Sequence, residues 1–174
     1  MDLVFTICIV AAVMAVIIGM VFVALKLINK DGNATTKYDE RQKRVRGEAY
    51  KYAFFAVIIS NGLLMLTNIF GEAFESLGYN IFFVPIFVGI VVHVSICIFK
   101  DAYIGLNTNI TKFMIFMFFI SLLNLGLAVR AIVMNELIVD GKIQPPFLNL
   151  MCGSLFIVLG FELLIKMFID KKED

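Results

Sequence analysis

The sequence predicts an all-α fold, an integral membrane bundle of five transmembrane helices with the N-terminus outside and the C-terminus in the cytosol. Three observations carry that expectation. Of the 174 residues, 61% are hydrophobic and the mean hydropathy is +0.94, well above the roughly 45–50% apolar content of soluble domains. Five continuous apolar runs occur, each close to the roughly 17–25 residues that a spanning helix needs. Lys and Arg gather on alternate connections between those runs, the asymmetry that orients a chain in a bilayer.

The runs cover residues 3–25, 53–70, 81–99, 113–134 and 147–168 of one membrane domain, 1–174. They read as helices because their apolar residues follow one another without the alternation of a barrel strand. The first run lacks a basic n-region and is too long for a signal-peptide core, so it is expected to be a retained helix. Residues 29–52 are the only sizeable polar segment, a basic cytosolic linker. Within it, Lys30-Asp31-Gly32-Asn33-Ala34 reads as a turn. From Thr35 or Thr36 onward, a Thr cap and the i, i+4 pairs Asp39/Lys43 and Glu40/Arg44 predict a helix. That helix should run on into helix two, with Gly47 as a place to bend. Pro85 predicts a kink in helix three, and Pro145-Pro146 should end the outer loop before helix five.

Orientation follows from counting. Lys26, Lys30, Lys37, Arg41, Lys43, Arg44, Arg46, Lys51, Lys100, Lys112, Lys166, Lys171 and Lys172 fall on one side. The opposite loops, 71–80 and 135–146, hold only Lys142, beside Glu72, Glu75, Glu136 and Asp140. With no Trp in the chain, Tyr38, Tyr50, Tyr52, Tyr79 and Tyr103, all near helix ends, are expected to serve as interfacial anchors. Cys8, Cys97 and Cys152 show no metal spacing and read as buried apolar residues, with a Cys8–Cys152 disulfide conceivable only if their helices touch. Residues 51–67 align on 112–128 through Lys51/Lys112, Phe55/Phe116, Ile59/Ile120, Ser60/Ser121, Leu64/Leu125 and Leu66/Leu127, which raises a repeated two-helix hairpin as one reading.

Polar residues inside a membrane are costly and mark candidate sites. His93 and Glu162 each lie six residues from the cytosolic end of their helices, about 9 Å deep by helical rise, where they could meet. Ser60, Asn61, Ser121 and Asn124 lie roughly 10–17 Å from the same side and would complete an inner polar belt, read either as a proton or ion relay or as hydrogen-bonded helix glue. On the glue reading Glu162 pairs with Lys166 one turn on. Arg130, near the outer end of helix four, needs only snorkelling or a bond to Glu72, Glu75 or Glu136. Gly62, Gly89, Gly126, Gly153 and Gly160 should let helices approach closely. No phosphate loop, metalloprotease, nucleophile-elbow or paired-Asp protease pattern occurs, so neither enzyme activity, a cofactor nor a metal is expected. Asn33-Ala34-Thr35 and Asn109-Ile110-Thr111 match the glycosylation pattern but lie in cytosolic loops. Arg41, Lys43, Arg44 and Arg46 could dock anionic lipid or a partner besides holding their loop inside, whereas the interspersed Asp39, Glu40 and Glu48 argue against nucleic acid.

The segments Tyr38-Asp39-Glu40-Arg41-Gln42, Arg46-Gly47-Glu48-Ala49-Tyr50-Lys51-Tyr52-Ala53-Phe54, and Lys100-Asp101-Ala102-Tyr103 with Gly105-Leu106-Asn107 are the most distinctive in the chain. In them it resembles a loose group of small, functionally uncharacterised, multi-helix membrane proteins, mostly of Gram-positive bacteria, with an Asp-Glu-Arg-Gln motif before the second helix. The resemblance implies a multi-pass protein of the bacterial cytoplasmic (inner) membrane and transfers no catalytic residue. Two functional readings follow. One is a non-enzymatic membrane module, a subunit, sensor or immunity-type protein acting through helix packing and its basic arm, with a membrane or cytosolic protein partner. The other is a small homo-oligomeric transporter or channel that uses the polar belt.

Overall fold

The computed structural model describes residues 3–70 and 78–173. Its helices are α1 (Leu3–Ile28), α2 (Glu40–Phe70), α3 (Phe83–Phe99), α4 (Ile110–Val133) and α5 (Phe147–Glu173). All five are long and apolar enough to cross a membrane. A short 3-10 helix (Gly78–Phe82) precedes α3, and two strands, β1 (Ile138–Val139) and β2 (Lys142–Ile143), separate α4 from α5. The residues form two compact units, Met1–Tyr38 with Ile104–Phe113 and Asp39–Tyr103 with Met114–Asp174.

In the first unit α1 runs three residues beyond the expected stop, and Lys26 Nζ lies 4.9 Å from the centre of the Phe22 ring, a cation–π contact. Most of the large apolar side chains described along α1, from Phe5 to Leu27, are exposed, with Leu25 half-buried. In a bilayer that is the surface offered to lipid. Asn109 caps the start of α4, its side-chain oxygen accepting from the Lys112 N–H at 3.1 Å. The asparagine of that glycosylation-like triplet therefore has a structural task.

In the second unit α3 packs against α2 on one side and α5 on the other. α2 is a single helix of 31 residues that passes through Gly47 without interruption. It starts at Glu40, four residues later than Thr36, because Asp39 rather than a Thr is the cap. The Asp39 carboxylate accepts from the Gln42 N–H at 2.6 Å, and the Gln42 side chain accepts in return from the Asp39 N–H at 3.3 Å. This is a capping box, which satisfies two otherwise orphaned donors reciprocally. With Asp39 so engaged, Lys43 pairs with Glu40 at 2.8 Å instead.

Pro85 does not kink α3. It lies in the first turn, where its missing N–H is no loss, and its side chain is fully buried. Both α3 and α4 end with a residue at positive φ in place of the usual glycine, Asp101 (φ 54) and Asn135 (φ 56). In each, the N–H of that residue and of the one after it fold back on the helix: Asp101 to Ile98 and Ala102 to Cys97, Asn135 to Ile132 and Glu136 to Ala131. The connection between α4 and α5 holds a hairpin that the apolar runs do not announce. Asp140 and Gly141, both at positive φ, turn β1 onto β2 as a type I′ pair requires. Asn80 then donates to the Ile143 carbonyl at 2.8 Å and anchors that hairpin to the 3-10 helix.

Among the glycines, Gly89, Gly153 and Gly160 lie at helix contacts, against Val57, Leu125 and Phe118, whereas Gly62 and Gly126 face open space. A Cβ on Gly89 would stand 2.5 Å from Val57 Cγ2 and 3.5 Å from the Ala53 carbonyl. Cys97 is fully buried, as expected, but Cys8 is exposed and all three thiols are free. Gly89→Val should lower the unfolding free energy in detergent by about 1–3 kcal/mol through overpacking, while Gly62→Val should change it by less than about 0.5 kcal/mol. Equal losses in the two variants would contradict the α2–α3 contact.

Candidate functional site

The residues of the expected polar belt do not converge. Ser60 and Asn61 both donate to the Val57 carbonyl on their own helix, at 3.0 and 2.9 Å. Asn124 donates to the Ile120 carbonyl at 2.8 Å, again within its own helix. Of these four, Ser121 is the one whose bond crosses to another helix, donating to the Gly153 carbonyl at 2.8 Å and so joining α4 to α5. Ser60 and Ser121, paired in the suspected repeat, therefore do different work.

His93 and Glu162 lie on helices that touch, yet they face different partners. The His93 ring stacks on Tyr50 of α2 with centroids 4.0 Å apart, and its Nε2 lies 3.8 Å from Cys97 Sγ one turn along. Glu162 Oε1 accepts from Ser95 Oγ at 2.9 Å, and Oε2 is buried with no hydrogen bond among the described residues. His93 and Ser95 are two residues apart on α3, so they project to opposite sides. Lys166 does not pair with Glu162. It is shared between Asp170 one turn further along α5 and Asp101 of the α3–α4 connection, 3.1 Å away. Arg130 approaches Glu136 at 3.9 Å, and Glu72 and Glu75 lie outside the described residues.

The polar contacts concentrate instead at the start of α2. Arg41 donates from Nη1 to the Lys100 carbonyl at 2.9 Å and from Nη2 to the Asp101 carbonyl at 3.2 Å. The buried Gln42 side chain donates to the same Asp101 carbonyl at 2.9 Å, and Arg46 donates to the Ala102 carbonyl at 3.3 Å. Beneath these bonds Val45, Ala49, Cys97 and Ala102 form a small core, with Tyr103 packed against it. Tyr103 thus turns inward, whereas Tyr50 and Tyr52 are exposed. Two of the distinctive segments of the sequence meet here: Asp-Glu-Arg-Gln is a clasp for Lys-Asp-Ala-Tyr.

Of the four basic arm residues expected to dock a ligand, Arg41 and Arg46 hold backbone carbonyls and Lys43 holds Glu40, while Arg44 is exposed. Within the first unit a second polar cluster joins residues 29–37 to 105–109. The Asn107 side chain donates to both Asp31 oxygens at 3.1 and 3.2 Å and to the Thr35 carbonyl at 3.0 Å, while its oxygen accepts from the Lys37 N–H at 2.8 Å. Lys37 Nζ pairs with Asp31 at 2.9 Å, and Thr108 donates to the buried Asn29 at 3.2 Å. The Lys37 ammonium, then the Asn107 amide and the Asn33 N–H, hold the Asp31 carboxyl well below the usual carboxylate range.

In both clusters the named charged side chains are engaged by neighbours: Arg41 and Arg46 by carbonyls, Lys100 by Glu48, and Lys37 by Asp31. Among the described residues no three His, Cys, Asp or Glu side chains group as metal ligands. An apolar groove of about 370 Å³ runs between α3 and α5, walled by Phe87, Val91, Leu150, Met151 and Leu155 among others. Comparison with protein-family models, curated proteins and solved structures returns no match.

Two measurements check these assignments. Gln42→Ala removes a donor from the Asp101 carbonyl and the acceptor of the Asp39 N–H, and should lower stability by about 1–3 kcal/mol, against less than about 0.5 kcal/mol for Arg44→Ala. Because the Asp31 carboxyl is held low, its contribution is complete above the unfolded value of about 3.9 and is lost only as pH falls through the folded value. Hydrogen-exchange protection of the Lys37 and Leu106 N–H groups should therefore be constant from about pH 8 to 5 once corrected for intrinsic exchange, and weaker in Asp31→Asn throughout that range. Protection already falling between about pH 7 and 5 would contradict the assignment.

Proposed function

We propose that this chain is a non-enzymatic, multi-pass membrane module of a bacterial cytoplasmic membrane, with its N-terminus outside and its C-terminus and basic arm in the cytosol. It acts as a subunit, sensor or immunity-type protein, through helix packing and through the arm at the start of α2. The observation that carries this reading is the dispersal of the intramembrane polar groups. Ser60, Asn61 and Asn124 bond to their own helices, Ser121 joins two helices, and His93 faces a tyrosine. A conducting path needs such groups to line a common, hydrated space. The orientation rests on the distribution of Lys and Arg, and the bacterial membrane on the Asp-Glu-Arg-Gln resemblance.

One observation favours the second reading, a small transporter or channel. Glu162 Oε2 is buried without a hydrogen bond among the described residues, inside a segment able to span the membrane. The two readings separate in reconstituted vesicles. Purified protein should add no proton or cation flux over empty vesicles, and a flux abolished by Glu162→Gln would establish the transporter instead. Orientation is tested independently in a variant with Cys8, Cys97 and Cys152 replaced. A membrane-impermeant thiol reagent should modify Asp140→Cys but not Asn33→Cys in intact cells, and the opposite pattern would reverse the topology.

A further inference from the structure

The clasp assigns most of the arm's cations to the protein itself, which isolates those left over. Arg41 and Arg46 are held by carbonyls, Lys43 by Glu40, and Lys100 by Glu48 at 3.8 Å. Arg44 and Lys51 make no hydrogen bond or ion pair among the described residues, and both are exposed. Their spacing of seven residues puts them on one face of α2, about 10.5 Å apart along the axis. That face is opposite the buried one, which Gln42, Val45, Ala49 and Ala53 define. Between the two cations stands Gly47, where a Cβ would meet nothing within 4 Å. The same face continues into the exposed Phe54 and Ile58.

Depth gives this arrangement its meaning. Residues 52–70 carry no charge and span about 29 Å as helix, close to the roughly 30 Å of a hydrocarbon core. Lys51 then stands at the edge of the core, with Gly47 about 6 Å and Arg44 about 10 Å beyond it. The headgroup layer on each side is about 5–8 Å thick. A phosphate at that level lies between the two cations, over the gap left by the glycine. Its acyl chains lie where Phe54 and Ile58 are bare.

We propose that Arg44, Gly47 and Lys51 form a binding site for the phosphodiester headgroup of an anionic phospholipid, whose acyl chains run along Phe54 and Ile58. This deepens the arm reading given above, moving the contact from the four arm residues Arg41, Lys43, Arg44 and Arg46 to a pair that includes only one of them. Charge complementarity and the unbroken passage from cations to apolar side chains favour a lipid over a cytosolic protein. A soluble partner would have no use for the phenyl ring and branched chain below.

The test uses the full-length protein in nanodiscs of phosphatidylcholine with a minority of phosphatidylglycerol, and reads lipids retained per protein by native mass spectrometry. Both leaflets of a nanodisc have the same composition, so a reversed topology would overturn the proposed orientation without touching this result. Wild type should retain phosphatidylglycerol selectively. Each cation near the surface contributes about 1 kcal/mol, so Arg44→Gln with Lys51→Gln should reduce that selectivity about 30-fold, while Lys43→Gln, equal in charge type but paired, should change it less than about 3-fold. Gly47→Leu fills the gap without altering charge or straining the helix, and should also abolish most of the selectivity. Selectivity that survives the double substitution overturns the site. Loss in the double variant with none in Gly47→Leu also overturns it, in favour of diffuse attraction. An absence of selectivity in wild type, together with capture of an acidic peptide by the detergent-solubilised protein, would assign the pair to a protein partner instead.

Discussion

A backbone carbonyl that leaves the end of a helix and is packed against a second helix must find a donor there, since an orphaned buried group costs about 1–3 kcal/mol. Much of the second unit is arranged around that requirement at one place, the end of α3. Carbonyls of Lys100, Asp101 and Ala102 point away from the helix there, and Arg41, Gln42 and Arg46 supply the donors from α2. Satisfying them brings the start of α2 against the end of α3, and the small side chains Ala49 and Ala102, both fully buried, allow that approach. Lys166 reaches the same connection from α5 through Asp101. The residue at positive φ is thus also the one that α5 holds. A glycine would relieve the backbone at Asp101 but would abolish the ion pair with α5.

The same requirement decides what the intramembrane polar side chains do. A Ser or Asn within a helix has a carbonyl of the preceding turn always in reach, and Ser60, Asn61 and Asn124 take it. Such a bond needs no second helix, so it leaves the residue free to face lipid. Ser121 differs because Gly153 brings the α5 backbone close enough to compete. Polarity in a span is therefore weak evidence for a site, and the identity of the partner decides. By that criterion Glu162 and His93 stand out: Glu162 has a Ser hydroxyl on one oxygen, and its Oε2, like His93 Nδ1, is buried with no hydrogen bond among the described residues.

The five helices were legible in the sequence because apolar run length alone requires them. Details that depend on a local competition were less so. Thr35 and Thr36 are acceptable caps, but Asp39 with Gln42 three residues on forms the reciprocal box, and that spacing was present in Asp-Glu-Arg-Gln to be read. Asp140-Gly141 is an equally available turn signal, but strands of two residues on either side are too short to show an alternating pattern. Pro85 was misplaced for another reason. An apolar run does not reveal where its first turns are 3-10, and the shift of the α-helical start to Phe83 moves the proline into the first turn. What no sequence pattern could show was the partner of each cation. Arg41 and Arg44 look alike in sequence, and only the position of residues 100–102 separates the held one from the free one.

That separation bears on how a basic segment in a membrane protein is interpreted. A count of Lys and Arg treats each as a mobile charge available to lipid, yet a guanidinium that donates to two carbonyls has its planar fork occupied. It still contributes to the field that retains the loop on one side, because a field depends on charge and not on free hydrogen bonds. It contributes little to a headgroup contact, which needs donors. Arg41 and Arg46 can therefore serve topology and the clasp at once, and removing them would disturb both. Arg44 and Lys51 have only the field and whatever binds them, so they are the pair in which recognition can be altered while the fold is left intact.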